Sequence, residues 1–365
     1  MRRSRLAATA LQLVALATML VALACAPAPR PEAASAAAGG TGAPAAESAA
    51  APAANPTAPP FRMRVAYAEP TPALSALWAA NDAGFFARHG LDVDLQFVAS
   101  AQTVPAVIGG DIDMAFGGGY AAMSSRLAGS DLLIFYAMVN WYPYEMIGAP
   151  NVETAADLRG QKIGISRFGS SSDIATRLAL KHLGLDPDRD VSFVQVGSLP
   201  DRIAAMQAGA LAAGLAGTPE NERLKKQGFH GLLDLATMGD ESMINMGYAS
   251  QAWMDANESH IQGLVEALVE AVHYVKTNPE PTKRLIAQYV KLEDPEEIDL
   301  AYQHDVIRIL PRIGRPSIEE GRRYLVSQEP TDPRAAGANP AEFFDLRYTD
   351  RVAASGLVER LYGKE

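Results

Sequence analysis

Cysteine is nearly absent from this chain: Cys25 is the only one in 365 residues. The body of the protein therefore holds no internal disulfide, and its stability must come from a buried apolar core, which a chain of this length can build. Positive charge is also scarce. The first 60 residues carry four Arg and two Glu, so the remainder has 28 basic and 40 acidic side chains, a net of −12. An acidic body repels phosphate backbones and excludes nucleic acid as a partner. Cys/His pairs, zinc-ligand spacings and a serine-nucleophile elbow are missing too. The six histidines (His89, His182, His230, His260, His273 and His304) are scattered over helix and loop positions. Nothing here builds a catalytic or metal centre, and no cofactor is expected.

What is present begins with an export signal. Arg2, Arg3 and Arg5 precede an apolar run from Leu6 to Leu23, closed by Val21-Ala22-Leu23-Ala24-Cys25. A positive start, an apolar middle and small residues before a cut are the pattern of a secretory signal. Cysteine directly after the cut resembles a bacterial lipobox, with Ala22 where the usual leucine stands. The expectation is a signal peptide over residues 1–25 with Cys25 lipidated. A thiol inside an ordinary signal, or an uncleaved spanning helix, fits the same residues. All three readings place the rest of the chain outside the cytoplasm. From residue 26 to 60 the composition falls to Ala, Pro, Gly, Ser and Thr, which cannot bury enough surface to offset chain entropy, so a disordered tether is expected.

The globular part then opens as alternating strands and helices. Arg64 to Tyr67 reads as a strand, Thr71 to Arg88 as a helix closed by Gly90, and Val93, Leu95 and Phe97 as an alternating strand. A helix over Thr103 to Ile108 and a strand over Ile112 to Phe116 follow. About 98 residues on, the order repeats. A strand over Lys162 to Ser166 and a helix over Ser171 to Leu183 precede a strand over Val191 to Val196. VPAVIGGDIDMAFGGG (104–119) aligns without gaps on IAAMQAGALAAGLAGT (203–218). Two matching α/β lobes follow, each a mostly parallel sheet flanked by helices. The expected boundaries are residues 61–149 plus 250–365 for lobe I and 150–249 for lobe II. Crossings are expected at Tyr144–Ala149 and Ile244–Ala249. Ile261, Leu264, Val265, Leu268, Val269, Val272 and Val275 mark a long amphipathic helix in a C-terminal part that packs back on lobe I.

Two lobes joined by two crossings form a hinge around a ligand cleft. The ligand belongs outside the carboxyl ends of the strands, so the strand-to-helix joints supply the candidate site: Tyr67, Glu69, Ser100, Gly118, Gly119, Tyr120, Asn140, Trp141, Thr218 and Glu220. To these are added Arg167, Phe168, Ser170, Ser171 and Ser172, where hydroxyls and amides at a helix start lie beside a guanidinium. That set suits a carboxylate, sulfonate or phosphonate group; Ser170 can equally be a plain helix cap with Asp173 three residues on. Tyr142 is a further candidate lining residue. Glu69 and Glu220 hint at an amine or ring N–H in the ligand. Gly117-x-Gly119-x-x-Ala122 imitates a dinucleotide fingerprint, but Asn140 stands where an acidic residue should, so a loop of close backbone approach is the better reading.

The segments NDAGFFARHGLDVD (81–94), GDIDMAFGGG (110–119), ADLRGQKIGI (156–165) and SRFGS (166–170) resemble the solute-binding proteins of ABC importers for nitrate, sulfonate and taurine-like substrates, a group that shares its domain with pyrimidine-precursor binders. The resemblance implies a two-lobed periplasmic-binding-protein type II fold (a Venus flytrap), capture of a small anionic or zwitterionic solute, delivery to an ABC permease with its ATPase, and monomeric action. Two alternatives share the fold. One is a pyrimidine synthase of thiamine metabolism that uses iron, its own histidine and a cysteine-rich motif; this chain lacks the motif and an obvious counterpart of the histidine. The other is a binding module that reports to a sensor kinase or chemoreceptor.

Overall fold

The computed structural model describes residues 59–363. The expected signal peptide, Cys25 and the expected tether as far as residue 58 lie outside the described residues. Ten strands form two five-stranded sheets. The first contains β1 (Phe61–Tyr67), β2 (Leu91–Phe97), β3 (Met114–Gly117), β4 (Leu132–Ala137) and β10 (Met246–Ser250), in the order β2-β1-β3-β10-β4. The second contains β5 (Glu145–Gly148), β6 (Lys162–Ile165), β7 (Ser192–Gln195), β8 (Ala213–Ala216) and β9 (His230–Asp234), in the order β7-β6-β8-β5-β9. The two orders are one topology used twice. In each sheet three strands pair in parallel through the central β1 or β6, and one strand, β10 or β5, runs antiparallel between its two neighbours. Four strands of each sheet thus point the same way, and their carboxyl ends share one edge.

The repeat reaches into loop detail. The helix Ser100–Ile108 turns into β3 through Gly110 at φ 75°, and the helix Leu199–Gln207 turns into β8 through Gly209 at φ 72°. These glycines occupy the same place in the gap-free alignment, where a left-handed residue ends the helix and a side chain would be strained. The first helix differs from its expected form. Thr71 to Arg88 is not continuous: a short 3-10 turn (Pro72–Leu74) leads into the helix Ser75–Asp82, and Gly84 at φ 74° breaks the chain before the helix Phe85–Arg88. Periodicity registers the shared apolar face and not the break.

The strand memberships also correct the expected boundaries. β5 ends at Gly148, inside the range assigned to lobe I, yet it is hydrogen-bonded to β8 and β9 of the second sheet. β10 begins at Met246, inside the range assigned to lobe II, yet it lies between β3 and β4. Tyr144–Ala149 and Ile244–Ala249 are therefore largely strand, and the crossings lie just before them, at residues 138–144 and 235–245. The reason is physical: each returning segment is apolar on both faces because it is buried inside a sheet, and such a run carries no mark of which sheet it joins. The crossings run side by side. Met138 N–H donates to Asn245 O at 2.8 Å, Ser242 N–H to Asn140 O at 2.8 Å, and Trp141 pairs with Glu241 in an antiparallel bridge.

The apolar core follows this division. One cluster, including Met146, Ile163, Leu180 and Leu215, fills the second lobe. The first lobe has two, one on each side of its sheet. The larger of these is completed by the helix Glu258–Thr277, whose Ile261, Leu264, Val265, Leu268, Val269, Val272 and Val275 are all buried and which packs on the first helices of the lobe. Among the described residues no helix is long and apolar enough to cross a membrane.

Candidate functional site

The carboxyl edges of the two sheets supply the joints around the cleft, and the lobes approach there. A Cβ placed on Gly118, which follows β3, would lie 3.9 Å from Ser171 Oγ at the start of the helix Ser171–His182. Ile174 of the same helix packs against the first-lobe cluster around Met243 and Tyr248. On the first lobe's rim Tyr67 is half-buried, with its ring 5.8 Å from that of Phe97. Glu69 is exposed and accepts from Ser100 Oγ at 3.2 Å. Asn140 donates from Nδ2 to Arg315 O at 3.2 Å, and the Trp141 side chain is partly open to solvent. These residues stand at the carboxyl ends of the lobe I strands or on its first crossing.

Two expected lining residues sit behind it. Gly119 is packed so tightly that an added Cβ would come within 2.6 Å of Met246 Cγ and 3.0 Å of Met243 Cβ, so its role is close backbone approach to the second crossing. Tyr120 is buried and not at the cleft surface. Its hydroxyl lies 2.6 Å from Tyr142 Oη and donates to Glu320 Oε1 at 2.7 Å. Tyr142 also reaches Glu320, at 3.3 Å. Burial pushes the Glu320 carboxyl up, while the two tyrosine hydroxyls and Arg323 pull it down. This network ties the first crossing to the C-terminal helix Ile318–Gln328. A tyrosine beside a strand end gives no sign in sequence of whether it faces the cleft or the layer behind it.

On the second lobe the serine loop is largely occupied by its own contacts. Ser170 caps its helix, accepting from Asp173 N–H at 3.4 Å and donating to Arg167 O at 2.7 Å. Ser166, Ser170 and Ser172 link their hydroxyls at 2.8–3.0 Å. The Asp173 carboxylate accepts from Gly169 N–H at 2.8 Å and pairs with Arg177, so a negative charge already stands at this helix start. Arg167 and Phe168 are exposed on the rim; Phe168 N–H donates to Gln195 Oε1 at 2.9 Å. Ser171 alone of the loop is placed against the other lobe by a contact given above. Thr218 is buried, and Glu220 begins the helix Glu220–Lys226 in half-buried surroundings. Burial pushes the Glu220 carboxyl up, and the carboxylates of Glu297 and Asp305 push it further, against Arg223.

Three residues not selected from sequence lie with this group. Arg202, on the helix Leu199–Gln207, is only 8% exposed. Its Nη1 donates to Gly197 O at 2.7 Å, at the exit of β7, while its Nε has no partner. Burial lowers its pKa; the charges of Tyr144, Glu69 and Asp201 act in the opposite sense. Tyr144, on the crossing into β5, feels Glu69, Arg202 and Asp305, and burial drives its hydroxyl pKa upward. Asp305 sits in a π-helical stretch, Tyr302–Ile309, that packs against the 3-10 turn following Glu69. It is 4% exposed, and its Oδ2 has no hydrogen-bond partner, the nearest basic nitrogen being His304 Nδ1 at 3.6 Å. Burial raises the Asp305 pKa against the opposing pull of His304. The alignment carries a signal for the first of these three. Carried back one residue from its start, it sets Arg202 on Thr103, which is buried and bonded to Tyr248 at 2.7 Å, so an arginine stands at an inward position of a repeated helix. Among the described residues no group of three or more His, Cys, Asp and Glu is placed to hold a metal ion.

Two repeated α/β lobes, paired crossings and a cleft at the strand ends define the periplasmic-binding-protein fold. The chain belongs to the NMT1-like family, whose model matches residues 56–291. Similar solved structures include the periplasmic aliphatic sulphonate binding protein SsuA of Escherichia coli, at 21% identity and TM-score 0.62, covering 77% of this chain and 95% of that one. The alkanesulfonate-binding protein SsuA of Xanthomonas axonopodis pv. citri, bound to MOPS, matches at 20% identity and TM-score 0.60, covering 79% and 98%. The desulfurization enzyme DszB, as a point mutant in complex with biphenyl-2-sulfinic acid, matches at 16% identity and TM-score 0.62, covering 81% and 99%. No curated protein matches the chain in sequence.

Proposed function

We propose that this protein is an extracytoplasmic solute-binding lipoprotein, anchored through Cys25, that captures a small organic solute between its lobes for an ABC importer. The observation that carries the reading is the approach of the two sheets' carboxyl edges around a cleft, with Gly118 and Ser171 meeting across it and two bonded crossings behind. Open lobes admit the solute; closure buries it, and the solute shifts the open–closed balance by its greater affinity for the closed form. The solute carries an acidic group, of the sulfonate or carboxylate kind. Its contacts are drawn from the rim residues Tyr67, Glu69, Gly118, Trp141, Arg167, Ser171 and Glu220, with Arg202 offering a buried guanidinium to the acidic group. The protein binds without catalysing a reaction. Neighbours that bind sulfonates support this reading; a neighbouring desulfurization enzyme keeps turnover as a point to test.

The test is a thermal-shift screen of the full-length protein against sulfonates, carboxylates, phosphonates, nitrate and pyrimidines. Any hit is followed by small-angle scattering and by mass spectrometry of the recovered solute. At about 100 times its dissociation constant a solute stabilises by about 2.7 kcal/mol. The expected outcome is a stabilising hit, a smaller radius of gyration and unaltered solute. Chemical conversion of the solute overturns the binding-only reading, and a folded protein that no compound stabilises overturns solute capture.

A further inference from the structure

Lobe II is joined to the C-terminal part of the chain by more than the two crossings. The helix Glu220–Lys226 belongs to lobe II: it lies between β8 and β9, and its Asn221 and Lys225 bind Glu145 of β5 at 2.8 and 3.1 Å. Opposite it stand the helix Pro295–Ala301 and the π-helical stretch Tyr302–Ile309. These belong to lobe I, because Ala301, Tyr302, Val306 and Ile309 are buried in its larger cluster together with Trp78 and Leu268. Three ion pairs join the two sides. Arg223 holds Glu297 with two bonds, Nε to Oε1 at 2.5 Å and Nη2 to Oε2. Arg308 Nη1 lies 3.2 Å from Oδ2 of Asp234, at the end of β9, and Lys226 Nζ lies 3.7 Å from Glu296 Oε2.

Charge makes this contact, not apolar packing. The apolar cluster of lobe II contains no residue beyond Ile244, so it shares nothing with these C-terminal helices. Between the two sides lies a cavity of about 210 Å³, lined by Tyr144, Asn221 and Lys225 on one side and by Leu300, His304 and Arg308 on the other. The pairs are unequal. Glu297 is 9% exposed, and one guanidinium holds both of its oxygens, a geometry that is strong and directional. The Lys226–Glu296 pair is open to solvent and contributes little. Removing one partner of a largely buried pair leaves the other charge unmatched, so the contact turns on Arg223 and Glu297. Such a contact can part without exposing a core.

We propose that Arg223 and Glu297, assisted by Arg308 and Asp234, form a releasable clasp that holds lobe II to the C-terminal part at the separation where Gly118 and Ser171 face one another. Glu297 is a positioning residue: it acts on the lobe separation through Arg223 and touches no solute. The use of the clasp rests on the solute-binding reading above. Apparent affinity scales with the fraction of molecules already in the binding-competent form, and a clasp that restrains the lobes raises that fraction. The clasp itself needs no solute, and its test uses none.

The test is small-angle scattering of the full-length protein without solute, for the parent, Glu297→Gln, Arg223→Gln and the double variant, with the melting temperature read alongside. Each single variant is expected to stay folded and to show a larger radius of gyration than the parent. The double variant should show no larger increase than either single one, because both changes remove the same bond. Arg308→Gln should give a smaller increase in the same direction. If Glu297→Gln does not fold, Arg223→Gln, at a side chain 45% exposed, carries the test. A lowered melting temperature with an unchanged radius makes the pair a structural contact only and overturns the clasp. An increase in the double variant equal to the sum of the two singles overturns it as well, since the two residues would then act apart. Either failure leaves solute capture standing, and a solute screen without a hit leaves the clasp standing.

Discussion

The two lobes share one strand order and one helix plan, yet they hold themselves together differently. In lobe II the helices that follow β6 and β7 are each pinned by a serine cap, Ser170 and Ser198. Their counterparts in lobe I begin at Leu74 and Ala99 with no side-chain cap. Lobe I relies instead on layers that lobe II lacks: the helix Glu258–Thr277 and its successors close one face, and Tyr324, Phe343 and Phe344 help close the other. A lobe of about 100 residues with one face-limited core must settle its helix ends locally. A lobe wrapped by a C-terminal extension can leave them to packing. Lobe I is accordingly the more heavily covered of the two, and lobe II the lighter.

That contrast can be broken at several scales. The largest effect is expected in the doubly covered core. Trp78 is fully buried and stacked on Tyr289 with centroids 4.6 Å apart, so Trp78→Ala should cost about 3–5 kcal/mol, measured by denaturant unfolding. A loss below about 1 kcal/mol would show that the C-terminal layer is only loosely attached. Next is the place where lobe I meets the crossing. Gly119→Ala drives a methyl into Met246 and Met243 and should cost about 1–3 kcal/mol, whereas the same change at the open Gly118 should cost far less.

A third prediction concerns pH. The Asp305 pKa is raised in the folded protein by burial, which outweighs the pull of His304. Its contribution to stability is therefore full below the ordinary carboxylate value and is lost as pH rises through the raised one. Asp305→Asn should stabilise the unliganded protein at pH 7, by on the order of 1 kcal/mol, and the gain should fade as pH is lowered towards about 4. A variant no more stable than the parent at pH 7 would mean that the carboxylate is paired in solution, with His304 the nearest candidate. The smallest effects test the caps. Ser198→Ala should cost about 1 kcal/mol, and Ala99→Ser, at a residue with φ −52° and ψ 139°, should recover part of that amount in lobe I. Equal sensitivity of the two lobes to cap changes would remove the distinction drawn between them.

Much of this architecture was legible in the chain because the repeat is written in small residues with strict duties. Gly110 and Gly209 mark one helix end twice, and the apolar spacing from Ile261 to Val275 defines the long C-terminal helix. The boundaries slipped by a few residues because β5 and β10 are interior strands, apolar on both faces. The strand-to-helix joints were legible: Glu69, Gly118, Ser171 and Glu220 lie where they fall. What lies behind them was not. Tyr120 turned inward to Tyr142 and Glu320, a choice made by a helix 200 residues away. Asp305 arrives from a C-terminal segment with no counterpart in the repeat. Arg202 was the exception, a charge at an inward position that the alignment with Thr103 exposes.

The paired crossings have a mechanical meaning. Residues 138–144 and 235–245 are joined by hydrogen bonds at Met138–Asn245 and Ser242–Asn140 and by the Trp141–Glu241 bridge, so they behave as a short two-ply ribbon. A single strand between two bodies is a swivel and allows rotation about any axis. A ribbon bends readily across its flat face and resists shear and twist, because those motions break the rungs. The lobes are therefore mounted as a door on its hinge plate, with one easy coordinate and a repeatable latch position.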